Sequence, residues 1–158
     1  MKNIYIHRRE NWNLLKNESL LTFAENHLVR FTYFPELSLA EEYFKPVREP
    51  MFPERYQQIM RDFTNFCEAH KPENLLINMQ DKAIILEEEL QLWMKQEIYP
   101  RLAAAGAVRK GYLVHDDFYS QLSIANTAKN TINSELHYFE TREKALAWYA
   151  ATADRKQG

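Results

Sequence analysis

The chain has 158 residues, of which 46% are hydrophobic and 27% are charged, and its formal net charge is −2. A chain of this length is most simply one domain with a hydrophobic core of its own. The near-neutral charge argues against a nucleic-acid partner, which would favour a clearly basic face. The single cysteine, Cys67, excludes an internal disulfide, and we expect its thiol to be buried.

The segment MKNIYIHRRENW contains no apolar run of signal-peptide length. No stretch of the chain approaches the ~18 consecutive apolar residues that a membrane span needs. We therefore predict a cytoplasmic protein without a membrane span. Only three glycines occur, Gly106, Gly111 and Gly158. Because phosphate-binding loops depend on closely spaced glycines, we predict no bound cofactor.

The first half of the chain predicts a β-hairpin preceded by a polar arm. Residues 1–18 are assigned to the arm, with a short strand at 4–6. Segments 21–23 and 28–34 are rich in β-branched and aromatic residues, and Asn26 between them suits a tight turn. In the second strand Val29, Phe31 and Tyr33 alternate and would face the core. An extended segment is expected to continue to residue 47.

The second half alternates helix and strand. Apolar residues at helical spacing predict a first helix from Pro53 to Lys71. Three strand–helix pairs follow at 75–79 and 87–105, 108–115 and 118–129, and 135–140 and 142–152, with a kink near Pro100. Such alternation implies right-handed crossovers and a mostly parallel sheet. We predict one α/β domain over 19–152, with 153–158 as a tail.

Four segments carry a resemblance to a known family: HKPENLLINMQD, EELQLWMKQEIYPRLAAAGAVRKGYLV, DDFYSQLSIANT and HYFETREKALAWYA. Their order and spacing resemble the SpoIIAA-like proteins, in particular a bacterial group of Bacteroidetes type. That family shares its fold with the STAS domains of anti-sigma-factor antagonists and with the Sec14-like lipid-exchange domains. The resemblance implies an α/β fold with a mixed sheet, an antiparallel N-terminal hairpin and helices mainly on one face.

The resemblance also raises the question of whether this chain carries the serine that is phosphorylated in anti-sigma-factor antagonists. Anti-sigma-factor antagonists carry a phosphorylatable serine just after the strand that corresponds to 75–79, where the following helix would favour a phosphate. This sequence has no serine or threonine from 75 to 92. We therefore expect a non-enzymatic regulatory or interaction domain of STAS-like fold without that serine switch.

Two strand ends provide the candidate site residues. Asn78, Gln80 and Asp81 end one strand, and His115 and Asp116 follow the next. Because the carboxyl ends of parallel strands meet at one edge of a sheet, we predict a ligand-binding site formed by these five residues. The histidines lack the spacing of metal ligands, so we predict neither a metal site nor catalytic residues.

Three other interpretations stay open from the sequence. A Sec14-like domain would bind a small apolar ligand or a lipid between its sheet and helices. An acid/base enzyme would use Asp81 together with His115. A protein partner, or a second copy bound through an unpaired hairpin edge, would make the chain an interaction module.

Overall fold

A computed structural model of the protein describes residues 3–8, 20–117, 121, 123–125 and 135–157. Within these ranges the chain is a mixed α/β structure. Its strands are β1 Asn3–Arg8, β2 Leu20–Glu25, β3 Val29–Phe34, β4 Leu39–Phe44, β5 Asn74–Met79, β6 Arg109–Val114 and β7 Glu135–Tyr138. Its α-helices are α1 Pro53–His70, α2 Glu88–Trp93, α3 Tyr99–Ala104 and α4 Arg142–Gln157.

The seven strands form one mixed sheet in sequence order, from β1 to β7. The pairs β1–β2, β2–β3 and β3–β4 are antiparallel, and the pairs β4–β5, β5–β6 and β6–β7 are parallel. The predicted hairpin is confirmed as β2 and β3, and Asn26 closes its turn by accepting the backbone N–H groups of Leu28 and Val29. The strand expected at 4–6 is β1, which pairs with β2 and covers the hairpin edge considered for dimerisation.

Helices begin and end where the sequence carries its strongest local signals. Pro53 opens α1, where a missing N–H costs no hydrogen bond. Lys71 ends that helix in a left-handed conformation with φ 55°, directly before Pro72. Between α2 and α3 the chain makes a π-helical turn from Met94 to Ile98, at the place where Pro100 predicts a kink. A π-turn absorbs the hydrogen bond that proline cannot donate.

The sheet separates two hydrophobic cores, which we call the main core and the second core. Helices α1 and α3 pack with one face of the sheet in the main core, together with Leu75 and Ile77 of β5. Because the parallel strands follow one another without reversal, right-handed crossovers place their connections on a single face. Helix α4 follows the last strand and lies on the other face, where Leu146 and Tyr149 pack with Leu76 in the second core.

Gly111 allows α4 to approach the sheet closely. A Cβ atom at this position would lie 2.6 Å from the Tyr149 hydroxyl oxygen and 2.7 Å from the Phe139 ring. The Tyr149 hydroxyl instead donates a 2.8 Å hydrogen bond to the backbone carbonyl of Leu75. The helix is thus docked on the sheet through a buried polar contact as well as through apolar packing.

The helix predicted at 118–129 is described only in part. Residues 121 and 123–125 are helical, and the Ile124 side chain packs into the main core. Phe118 and Leu122, which the sequence places on its apolar side, lie outside the described residues. Among the helices of the described ranges, none combines the length and the hydrophobicity of a membrane span.

Candidate ligand-binding cleft

An open cleft lies at the carboxyl ends of β4 and β5, beside the first turn of α4. It has a volume of about 400 Å³, within the range of sites for small molecules. We call it the strand-end cleft. Its lining residues are Arg30, Thr32, Glu41, Tyr43, Asn78, Gln80, Asp81, Arg142 and Glu143.

An ion pair between the buried Glu41 carboxylate and the partly exposed Arg142 guanidinium forms the floor of the strand-end cleft. The Arg142 guanidinium binds the Glu41 carboxylate through two nitrogens, with Nη2 to Oε1 at 2.7 Å and Nε to Oε2 at 2.8 Å. The Asn78 amide donates a third hydrogen bond to Glu41, at 3.0 Å. Glu41 and Asn78 are each only 3% exposed. This network ties the start of α4 to the sheet, and a bidentate pair of this kind fixes orientation as well as distance.

The mouth of the strand-end cleft carries a second carboxylate. The Tyr43 hydroxyl donates a 2.6 Å hydrogen bond to the Asp81 carboxylate. Burial, and next this hydrogen bond, raise the pKa of Tyr43 to about 12. The phenol therefore keeps its proton at neutral pH and remains a donor to Asp81.

Three of the five predicted site residues line the strand-end cleft, namely Asn78, Gln80 and Asp81. His115 and Asp116 do not line it. Their contacts are local, since His115 Nδ1 accepts the backbone N–H of Asp117 at 3.1 Å and lies 3.4 Å from a carboxylate oxygen of Asp116. Over the described ranges, no hydrogen bond or ion pair joins Asp81 to His115.

The sequence reasoning missed the residues that hold the strand-end cleft together. Glu41 lies in the extended segment that the sequence predicts up to residue 47, and Arg142 begins the helix that it predicts at 142–152. One signal was available, because two adjacent acids inside the strand LAEEYF point to opposite faces of the sheet, and a carboxyl that is buried must either find a partner or stay uncharged. No signal in the sequence indicated Arg142 as that partner, since 101 residues separate it from Glu41.

The side of the sheet that faces the main core also carries a buried carboxyl group and a buried amine. Glu42 is fully buried, and neither of its carboxylate oxygens has a hydrogen-bond partner among the described residues. Burial therefore raises the pKa of this carboxyl well above its usual range. Lys110 is 2% exposed, with its ammonium 3.9 Å from the centre of the Tyr99 ring. Burial lowers the pKa of the Lys110 ammonium to about 7.

Lys110 lines a small, mainly apolar cavity between the sheet and the helices. Tyr56, Tyr99 and Tyr112 line the same cavity, whose volume is about 20 Å³. This volume suffices for roughly one water molecule. The cavity occupies the position that a Sec14-like site would need, but it is far smaller than a lipid.

In the part of the chain that the structure describes, no group of three or more His, Cys, Asp or Glu side chains is arranged to hold a metal ion. No family model matches the chain, and no curated protein or solved structure shows significant similarity to it. The resemblance to SpoIIAA-like proteins therefore stays a prediction.

Proposed function

We propose that the chain is a non-enzymatic regulatory domain of STAS-like fold and that it works by binding a small polar ligand in the strand-end cleft. The observation that carries this proposal is the bidentate pair of the buried Glu41 with the partly exposed Arg142 at the floor of an open cleft. In open α/β sheets, ligands bind outside the carboxyl ends of the parallel strands. Here that position is occupied by buried polar side chains rather than by apolar packing.

A ligand in the strand-end cleft would contact the first turn of α4, and this contact is the basis for proposing a regulatory role. Arg142 and Glu143 belong to the first turn of α4 and also line the strand-end cleft. A bound ligand would therefore contact the sheet and the start of this helix at once. Binding to the folded state alone stabilises it, by about 2.7 kcal/mol at a ligand concentration 100 times Kd. The same contacts would make the position of α4 depend on occupancy.

The competing interpretations have weaker support. A carrier of apolar ligands would need the main-core cavity to expand greatly beyond its volume of about 20 Å³. An acid/base pair needs hydrogen-bond reach or one bridging water, whereas Asp81 is engaged by Tyr43 and His115 by its own loop. The absence of serine and threonine from 75 to 92 supports a mode of regulation other than the phosphorylation of relatives.

The proposal is tested by a thermal-shift screen of small charged and polar molecules on the full chain. Gln80→Trp places a large ring in the strand-end cleft at an exposed position. Gln96→Trp is the matched control, because Gln96 is also exposed and lies outside the cleft. We expect at least one compound to raise the Tm of the wild type and of Gln96→Trp, but not of Gln80→Trp. Failure of every compound, or an equal shift in all three proteins, would reject the proposal.

A further inference from the structure

We propose that Lys110 is a covalent capture site for a small aldehyde, which its amine binds as a Schiff base inside the main-core cavity. This site is separate from the strand-end cleft, so it goes beyond the proposed function and does not depend on it. Its basis is the juxtaposition of one buried amine and three tyrosines around a small, mainly apolar cavity.

Lys110 lies at a position where lysine is uncommon. It belongs to β6, which has a neighbouring strand on each side. Its side chain lines the main-core cavity together with Tyr112, which is two residues farther along the same strand and therefore on the same face. Only 2% of Lys110 is exposed, although lysine is among the residues least often fully buried. The fold thus keeps a nitrogen nucleophile shielded from bulk solvent.

The Tyr99 ring holds the amine beside the cavity. The Lys110 nitrogen Nζ lies 3.9 Å from the centre of the Tyr99 ring, and both residues line the cavity. Apart from Lys110 and the three tyrosines, every described residue of the lining is a leucine, an isoleucine or a methionine. Within the described lining, Lys110 therefore supplies the one amine.

The Lys110 amine is able to react at neutral pH. Burial lowers the pKa of Lys110 to about 7, whereas an exposed lysine has a pKa of about 10.4. At pH 7 roughly half of the Lys110 side chains are then uncharged, against fewer than about one in a thousand exposed lysines. A desolvated lysine of this kind is the nucleophile that forms Schiff bases with carbonyl compounds.

Schiff-base formation needs only the amine and the aldehyde. The Lys110 nitrogen bonds to the carbonyl carbon, and the carbonyl oxygen takes up a proton from the nitrogen, which gives a carbinolamine. The carbon–oxygen bond then breaks, and the oxygen leaves as water with the second proton of the nitrogen while the C=N bond forms. Nothing is oxidised or reduced. Because the reactants and the imine are uncharged, the apolar surroundings do not oppose the product.

Tyrosine hydroxyls at the cavity assist this reaction. Burial raises the pKa of Tyr56 and of Tyr112 well above the usual range, so both phenols keep their protons at neutral pH. The Tyr112 side chain also shares a hydrogen bond with Tyr99. A protonated phenol can donate a hydrogen bond to the carbonyl oxygen as negative charge develops on it.

The volume of the cavity limits the size of the aldehyde. A volume of about 20 Å³ accommodates roughly one water molecule. Because the aldehyde oxygen leaves as water, only the carbon part remains, so the aldehyde has one or two carbons. Carbon dioxide, which also reacts with uncharged amines, is the less favourable occupant, since the resulting carbamate is an anion and burial disfavours charge.

The inference is tested by reductive labelling of the full chain with formaldehyde and cyanoborohydride at pH 7, which converts each imine to a stable methylamine. Peptide mapping by mass spectrometry measures the initial rate of methylation at each lysine. Lys95 is the internal reference, because it is exposed on the π-helical turn. We expect Lys110 to react at least about tenfold faster than Lys95, since its larger uncharged fraction outweighs slow entry into the cavity.

Two controls separate capture in the cavity from general lysine reactivity. The branched aldehyde 2-methylpropanal should label Lys95 but not Lys110, because it exceeds the cavity. Tyr112→Phe removes one hydroxyl and should slow labelling of Lys110 about tenfold relative to Lys95, whereas Tyr138→Phe, at a tyrosine that is 54% exposed, should not. Labelling of Lys110 no faster than that of Lys95 would overturn the inference, as would equal labelling of Lys110 by both aldehydes.

Discussion

Glu41 and Glu42 are neighbours in β4, but their side chains lie on opposite faces of the sheet. On the face of the second core, Glu41 meets Arg142 and Asn78 beside an open cleft. On the face of the main core, Glu42 has no hydrogen-bond partner in the described structure and is fully buried. The first carboxylate is paired with an arginine, whereas burial raises the pKa of the second well above its usual range. The comparison of these two glutamates shows that the surroundings of a buried acid, rather than its residue type, decide whether it stabilises the fold.

The largest effect on stability should come from removing the arginine that pairs with Glu41. Arg142→Met removes the cation from the buried Glu41 carboxyl and leaves it the hydrogen bond from the Asn78 amide, so we expect the free energy of unfolding to fall by about 3–5 kcal/mol. Arg101→Met is the control, because Arg101 makes a comparable two-point contact with Glu68 at a largely exposed position. Its loss should be at most about 1 kcal/mol. Urea denaturation of both variants checks this, and equal losses would contradict the contrast.

Replacing Glu42, the acid without a hydrogen-bond partner in the described structure, should raise the stability of the protein. Glu42→Met replaces an unpartnered carboxyl by an apolar side chain of similar length, and we expect it to stabilise the protein at pH 7 by about 1–3 kcal/mol. Glu41→Met, one residue away, should destabilise it. Urea denaturation of the two variants side by side tests the difference. A loss of stability in both would show that Glu42 has a partner in solution.

The pH dependence of stability should sharpen this difference. Unfolded Glu42 ionises near pH 4.5 and the folded carboxyl at a higher pH, so unfolding releases a proton and stability falls as the pH rises above 4.5. Lys110 has a pKa of about 7 when folded and 10.5 when unfolded, so stability rises with pH across that window. Glu42→Met should remove the first slope and Lys110→Met the second. Denaturation at a series of pH values measures both.

A smaller effect is expected where α4 meets the sheet. Gly111→Ala places a Cβ atom against Tyr149 and Phe139, and we expect a loss of about 1–3 kcal/mol from overpacking. Because the displaced helix begins at Arg142, ligand affinity at the strand-end cleft should weaken as well. Calorimetry of unfolding and of binding on the same sample tests this coupling. Unchanged stability would mean that α4 sits farther from β6.

The smallest effect should come from the mouth of the strand-end cleft. Tyr43→Phe removes the hydroxyl that donates to Asp81, and an exposed hydrogen bond of this kind contributes about 0.5–1.5 kcal/mol. We expect a loss at the low end of that range. In the wild type, absorbance titration should detect one tyrosine with a pKa of about 12 that Asp81→Asn lowers. A normal titration of Tyr43 in the wild type would refute the contact.

Much of the fold could be predicted because its signals are local. Pro53 and Pro72 bracket α1, and Asn26 forms the hairpin turn. Apolar spacing predicted strands in the second half, and their alternation with helices predicted that they pair in parallel. The strand expected at 4–6 is present as β1, but its place beside β2 in the sheet was not predicted, because pairing between strands this far apart leaves no local signal.

The candidate site could be predicted only in part. The sequence could predict Asn78, Gln80 and Asp81, because they lie at the end of a buried strand, at the edge of the sheet where ligands bind. His115 and Asp116 follow the next strand, yet their side chains are held within their own loop. A strand end can be read from the sequence, but the direction in which its side chains are drawn depends on neighbours that are distant in the chain.

By itself, the sequence determined the α/β class, the main helices and strands, and the lack of serine and threonine from 75 to 92. These properties depend on residue identity and on spacings of a few residues. Only the tertiary structure decided which face each acid of β4 occupies in relation to α4 and that Arg142 reaches Glu41 across 101 residues. Pairing of buried charge is a property of three-dimensional proximity, which no local pattern encodes.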